Sequence, residues 1–402
     1  MPGDTSYVLL APTPWDTPWQ PAQNLADALA SEHRVLYVDP PMSPLTPVRY
    51  GLRPTTWPAA RSVLSRRLRR RGNVLVAAPL ALPPVQHPVA RRRSLPLIRA
   101  QLASAVRAAG ISRPILLAWR GLPELAGVAG ESRRLAFVMD HPAAGAPLLG
   151  RDPEELEREA AALCDNADVV VTTSRPMHVL LGERGYASEL VPFGFPSDLR
   201  AAFDSAVEPR EYSELPRPLL GYTGGIDDRL DFELIVALAD RYANGSLVFV
   251  GAVSPRLSSA ARAALASRPN IHLLGSRPRA DLPAYVAGLD VALLPYRDST
   301  WTRHQSPMKV WEYFYAGPPI VGVGSAELAI YEQPLLAYAR HPREVGELVD
   351  AALAEPDRGR EQRRRFALEN TWEHRARQLD SIATAPSEPR EPDRESVGAA
   401  AR

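Results

Sequence analysis

The chain has a single cysteine, Cys164, among its 402 residues, so it can form no internal disulfide. A lone thiol among apolar neighbours reads as packing and suits a reducing compartment. Lysine is almost as scarce: of 47 basic residues only Lys309 is lysine, and the rest are arginine. With 46 acids the formal net charge is +1, which provides no global field for a nucleic acid and excludes a polybasic binder. A secretory signal needs a basic start and a long apolar core, whereas here Asp4 precedes only a short apolar run at 7–11. The best membrane candidate is the uncharged stretch 72–90, which Pro79, Pro83, Pro84 and Pro88 break. The expectation is a soluble, cytoplasmic chain. Neither a dinucleotide fingerprint nor a P-loop is present. The eight histidines are scattered and no paired-cysteine or H-E-x-x-H motif occurs, so neither a metal ion nor a cofactor is expected.

Hydrophobic residues make up 45% of the chain, enough for real cores and for two to three domains. Short β-branched or apolar runs alternate with amphipathic stretches, the mark of βαβ units and of an α/β fold with parallel sheets. Strands are expected at 7–11, 35–39, 74–77, 115–118, 135–139, 169–173 and 189–191. The series then restarts at 218–222, 247–251, 271–274, 291–294, 320–323 and 335–338. The restart implies two similar domains, 1–198 and 218–370. They are joined by a linker at 199–217 that contains Pro209 and Pro216 and has no periodic apolar face. A C-terminal helix is expected at 371–383. Residues 384–402, rich in Pro, Glu and Arg, read as a disordered tail.

Between Asp39 and Glu124 there is no acidic residue, while Arg49, Arg53, Arg61, Arg66, Arg67, Arg69, Arg70, Arg71 and Arg91 to Arg93 all fall inside. The basic region 49–93 reads either as a solvated face or as a contact to an anionic partner such as a lipid surface.

Two segments of the second half carry chemistry. A strand ends at Tyr222, and Thr223, Gly224 and Gly225 lead through Asp227, Asp228 and Arg229 into a helix expected at 230–242. Glycines let a ligand approach the backbone, and a helix start offers free amides to an anion. A plain tight turn is the alternative. Further on, His304, Gln305, Ser306, Pro307, Met308, Lys309 and Glu312 run into a helix ending near Ala316. Ser306 is placed to cap it and Pro307 suits its first turn. Glu312 lies about 1.4 turns in, where a carboxylate can accept hydrogen bonds from vicinal ribose hydroxyls or simply face water.

The segments ADVVVTTSRPM, GYTGGIDDRLD, PNIHLLGSRPRADLPAYVAGLDVALLPY and SPMKVWEYFYAGPPIV, in this order over about 130–325, resemble a GT-B glycosyltransferase. The pattern is closest to the group 1, or family 4, type, and within it to teichuronic-acid and exopolysaccharide-type enzymes. The resemblance implies two Rossmann-like domains facing across a cleft, with a nucleotide-sugar donor on the second and a hydroxyl acceptor on the first. Glu312 would take the ribose. Gly224, Gly225, Arg229 and Lys309, with the amides near Ser306 and Met308, would hold the diphosphate and neutralise the leaving charge. Transfer would be retaining, with no enzymic nucleophile and no metal.

Two positions depart from the family pattern. The family often has a Glu, then seven residues, then a second Glu, and His304 occupies the place of the first, eight positions before Glu312. Glycines often follow the first strand, where this chain has PTPWDTPWQPAQN. There Trp15, Asp16 and Trp19 offer either acceptor-side stacking or a pinned loop. Asp140 and His141 end a first-domain strand, where similar enzymes carry His or Asp. They read as a proton acceptor and a donor contact, or as a cap and a buried acid. Asp39 also ends a strand, but without a glycine fingerprint it makes a poor ribose acid. The expected function is sugar transfer in polysaccharide or glycoconjugate biosynthesis, by a cytoplasmic chain that the two readings of the basic region leave either free or peripheral at the inner membrane face. The alternatives are a tailoring transferase on a secondary metabolite and a non-catalytic nucleotide-sugar binder.

Overall fold

A computed structural model describes residues 5–43, 68–82, 88–119, 123–331 and 333–386. Two parallel sheets organise them. The first runs β3-β4-β2-β1-β5-β6-β7-β8, built from β1 (Ser6–Leu10), β2 (Arg34–Val38), β3 (Arg69–Arg71), β4 (Val74–Ala77), β5 (Ile115–Ala118), β6 (Arg133–Val138), β7 (Val169–Thr172) and β8 (Ser188–Leu190). The second runs β11-β10-β9-β12-β13-β14, from β9 (Leu219–Thr223), β10 (Ser246–Val250), β11 (Ile271–Gly275), β12 (Val291–Pro295), β13 (Ile320–Val323) and β14 (Ala337–Tyr338). Helices α1 (Pro21–Leu29), α2 (Pro88–Ala108), α3 (Pro153–Asp165) and α4 (Arg175–Glu183) serve the first sheet. Helices α5 (Phe232–Arg241), α6 (Ser259–Leu265), α7 (Leu282–Ala287), α8 (Lys309–Ala316), α9 (Val345–Ala354) and α10 (Arg360–Glu369) serve the second, and α11 (Trp372–Thr384) follows.

The central strands are apolar on both faces because helices cover both. Tyr7, Val8 and Leu9 of β1 and all five residues of β10 are buried. That is why continuous apolar runs, rather than alternating ones, mark strands in this chain, and every expected strand is found within two residues of its place. The exception is β3, an antiparallel edge strand of three arginines that no apolar pattern announces. Asp16 pairs with Arg69 and accepts from Arg71 Nε at 3.1 Å, and buried Asp39 accepts from Arg69 at 3.0 Å. Part of the basic region is therefore fixed by acids of the same domain. Arg49, Arg53, Arg61, Arg66 and Arg67 lie outside the described residues, while Arg92 and Arg93 are exposed.

The segment expected to be a plain linker packs instead. It forms short helices at Arg200–Asp204 and Arg210–Ser213, buries Phe203 and Tyr212, and the Tyr212 hydroxyl donates to the Tyr285 carbonyl at 3.0 Å. Helix α11 returns to the first sheet and packs on α1. Its Asp380 accepts from the Tyr7 hydroxyl at 2.5 Å, and Gln378 donates to the Leu190 carbonyl at 2.9 Å. The helix includes Thr384, which had been given to the tail; residues 387–402 lie outside the described residues. Among the described residues no helix is long and apolar enough to cross a membrane.

Candidate functional site

The second sheet's carboxyl edge is built around Gly224. Its φ of 134° is one that side chains rarely adopt, and a Cβ there would lie 2.7 Å from Lys309 Cε. Lys309 reaches this point because α8 is sewn to the end of β9: Tyr313, one turn further along α8, accepts from the Thr223 amide at 2.8 Å. The Lys309 ammonium donates to the Tyr296 hydroxyl at 2.9 Å and stands 4.7 Å above the Tyr222 ring. Burial pushes both tyrosine hydroxyls up to about 12, so they stay neutral beside the ammonium.

Local capping differs from the sequence reading in two places. Helix α5 begins at Phe232 rather than at 230, and Asp231 caps it by accepting from Leu234 N at 3.0 Å. The first amides of α5 are therefore not presented at the glycine turn. Asp227 takes the Arg229 guanidinium, with Oδ1 2.8 Å from Nε and Oδ2 2.7 Å from Nη2. Desolvation works against the Arg229 charge, but the hydrogen bonds and charge of Asp227 outweigh it and hold its pKa above the usual value. Arg229 also donates to Gln305 Oε1 at 3.2 Å and lies 5.1 Å from the Trp301 ring. The cap of α8 is Met308, not Ser306. Ser306 is buried and its hydroxyl has no partner, as is true of Gln305 Nε2. With the helix starting at Lys309, Glu312 falls in its first turn.

Glu312 is half-buried on the wall of a cavity of about 290 Å³ between the domains. Trp19 and Asn24 come to this cavity from the first domain, Arg279, Met308 and Glu312 from the second, and Trp372 from α11. Burial raises the Glu312 carboxyl to about 7, against the opposing charges of Arg279 and Lys309. Arg279 bridges the parts: it lies 4.5 Å over the Trp19 ring and donates to Asp198 Oδ1 at 3.0 Å and to Asn24 Oδ1 at 3.4 Å. The sequence reading did not single out Arg279. The signal available was its place in the polar loop after β11, at the strand end where such sheets hold ligands.

From the first domain, Asp140 and His141 follow β6 at the cleft. Asp140 is exposed, and the His141 ring centroid lies 5.1 Å from that of His304. Desolvation outweighs the nearby Glu157 and lowers the His141 pKa, so its imidazole is neutral at pH 7. His304 Nδ1 is 2.6 Å from the Thr300 carbonyl. Of Trp15, Asp16 and Trp19, only Trp19 lines the cavity. Trp15 is buried, edge-on to Tyr37 with centroids 5.0 Å apart, and Asp16 is occupied by the arginines of β3. Those two pin the loop. Among the described residues no cluster of three or more His, Cys, Asp or Glu is arranged to hold a metal.

Residues 217–354 match the family described as Glycosyl transferases group 1. Over 166 residues the chain is 25% identical to TuaH of Bacillus subtilis (strain 168), named for teichuronic acid biosynthesis as a glycosyltransferase; the match covers 40% of this chain and 42% of that protein. The chain thus matches less than half the length of this curated relative. In fold it is similar to an alpha,alpha-trehalose-phosphate synthase (UDP-forming) from Burkholderia xenovorans, with a TM-score of 0.63 at 13% identity over 95% of this chain and 100% of the other. It is also similar to the catalytic domain of Starch Synthase IV from Arabidopsis thaliana, with a TM-score of 0.60 at 12% identity over 94% of this chain and 99% of the other.

Proposed function

We propose, from a chain that carries a group 1 glycosyl transferase domain over residues 217–354 within a GT-B fold, that it moves a sugar from a nucleoside diphosphate to an acceptor hydroxyl. The observation that carries this reading is the pairing on one turn of α8: Glu312 faces the interdomain cavity while Lys309 lies against Gly224. A carboxylate in a cleft suits the two ribose hydroxyls, and an ammonium one turn away suits the diphosphate. The solved relatives fit: one is a UDP-forming synthase and the other was solved with ADP and acarbose.

In this mechanism the nucleoside occupies the cavity beside Glu312, and the diphosphate lies at Gly224 and Gly225 with Lys309 and Arg229. The bond between the sugar carbon and the diphosphate oxygen breaks. Lys309 and Arg229 balance the charge that grows on the leaving oxygen, in a site where low dielectric strengthens the effect. The acceptor hydroxyl, held by the first domain, attacks the sugar carbon on the face that the diphosphate leaves and gives its proton to the departing diphosphate oxygen; attack on that same face gives retention. Asp140, His141 and His304 contact the sugar and acceptor. Lys309 and Arg229 take the place of a metal, so EDTA leaves turnover intact. The acceptor is a hydroxyl of a lipid-linked glycan, in keeping with the exposed Arg92 and Arg93 and with the polysaccharide role in the name of TuaH.

A thermal-shift screen against UDP, GDP, ADP and dTDP tests the reading, since a ligand bound only by the folded state raises its stability. One nucleotide family should raise Tm in the wild type, and the shift should shrink in Glu312→Ala. Turnover should fall more in Lys309→Ala than in Glu312→Ala. If no nucleotide shifts Tm, or both variants keep wild-type kcat/KM, the assignment fails; nucleotide binding with no transfer would favour a non-catalytic binder.

A further inference from the structure

Helix α4 starts directly after β7 at the cleft edge of the first sheet. Its N-cap, Ser174, accepts from Met177 N at 3.3 Å, as a cap should. The same hydroxyl donates across the domain boundary to the His304 carbonyl at 2.7 Å. The next residue's amide, one that a helix leaves without an internal partner, donates to Glu327 Oε2 of the second domain at 2.8 Å. Ser174 and Glu327 are 0% and 1% exposed, and Glu327 Oε1 has no partner. Buried polar groups are costly unless bonded, so both bonds exist to hold this boundary rather than to decorate a surface.

The second domain grips the same loop one residue later. Ser325 Oγ donates to the Gln305 carbonyl at 3.3 Å, and Arg229 holds the Gln305 side chain. Gln305 is thus anchored from its own domain and the His304 backbone from the opposite one. The His304 ring meets His141 of that same opposite domain.

We propose that Ser174 and Glu327 are positioning residues, a two-point latch by which the first domain sets the His304 to Ser306 loop when the cleft closes. The proposal rests on the transferase reading for its consequence in turnover, but not for its geometry. Separation of the domains removes both bonds at once and frees the loop while leaving Gln305 tethered. Closure and loop order are therefore one event, and interactions that exist only in the closed state favour turnover rather than initial binding.

The test is amide exchange followed by mass spectrometry on the full chain without ligand, reading the peptide 299–308 against β12 as internal control. Ser174→Asp keeps an acceptor for the α4 cap but has no hydroxyl to donate, and Ser174→Thr keeps both. Ser174→Asp and Glu327→Ala should each speed exchange in 299–308 by roughly three- to tenfold, the loss of about one hydrogen bond, with β12 unchanged and Ser174→Thr near wild type. With the donor identified by thermal shift, kcat should fall by a similar factor with little change in KM. If either variant fails to fold, the other carries the measurement, and Glu327→Gln, which retains an oxygen for the Arg175 amide, stands in for Glu327→Ala with a smaller effect. Unchanged exchange in 299–308 for a folded Ser174→Asp overturns the latch. Faster exchange with no transferase activity even in the wild type supports the latch and sinks only the transferase reading.

Discussion

At the scale of single residues, the site distinguishes two adjacent glycines that the sequence treats alike. A Cβ at Gly224 would press on Lys309 Cε in a backbone conformation that side chains avoid, whereas one at Gly225 would come no closer than 3.6 Å, to Asp227 Oδ2. Gly224→Ala should cost about 1–3 kcal/mol of stability and displace the ammonium, lowering kcat, while Gly225→Ala should be close to neutral in a denaturant melt. Glu312 offers a pH test with a definite sign. Its folded pKa of about 7 is above the ordinary carboxylate range because of burial, so ionisation is easier in the unfolded chain. The stability it contributes is fully present below the ordinary range and is lost as pH rises through about 7. Without ligand, Glu312→Gln should therefore be more stable than wild type at pH 8 by about 1–3 kcal/mol, and the gap should close by pH 4. Nucleotide affinity should move oppositely, strengthening as pH rises through 7, because the ionised carboxylate is the better acceptor for ribose hydroxyls. An affinity flat between pH 6 and pH 8 would remove Glu312 from the ribose.

At the scale of elements, α8 matters most, and its far end depends on one buried arginine. Arg363 of α10 donates to the carbonyls of Gly317 at 2.7 Å, Arg358 at 2.8 Å and Pro334 at 2.9 Å, closing the end of the helix that carries Lys309 and Glu312. Arg363→Ala leaves three carbonyls without this donor and should cost about 2–4 kcal/mol by urea unfolding, with Arg363→Lys recovering only part because an ammonium cannot span all three. Most elements were legible in the sequence, because a central parallel strand such as β10 is apolar on both faces and stands out as an uninterrupted run. The turn at Gly224 and the Lys309 to Glu312 helix were legible for a related reason: glycine and the lone lysine are local marks. Strand β3 was hidden because its arginines are held by Asp16 and Asp39, partners 30 or more positions away. Distance along the chain also hid the burial of Trp15 and the place of Arg279. Each is decided by what packs against the residue and not by its neighbours in the chain.

At the scale of the whole molecule, the order of segments in the chain is not their order in space. Helix α11 follows the second domain yet belongs mechanically to the first, where Asp380 receives the buried Tyr7 hydroxyl and lies 3.3 Å from His33 Nε2. The stretch leading into it crosses the cleft floor: the Phe195 amide donates to the Asn370 carbonyl at 2.8 Å, and Trp372 N returns the bond to the Phe195 carbonyl at 3.1 Å. Trp372 is both the first residue of this helix and a wall of the cavity that holds Glu312. A helix pinned at one end to β1 and at the other to the cavity should couple the stability of the first domain to the shape of the site. Asp380→Ala strands the Tyr7 hydroxyl in the core and should cost about 1–3 kcal/mol in thermal or urea unfolding. It should also weaken nucleotide binding, although Asp380 is not a lining residue of the cavity. Tyr7→Phe removes the hydroxyl but leaves Asp380 able to meet His33, so it should be milder on both counts. If Asp380→Ala loses stability with no change in nucleotide affinity, α11 is a clasp for the first domain alone, and the cavity is set by the two sheets without it.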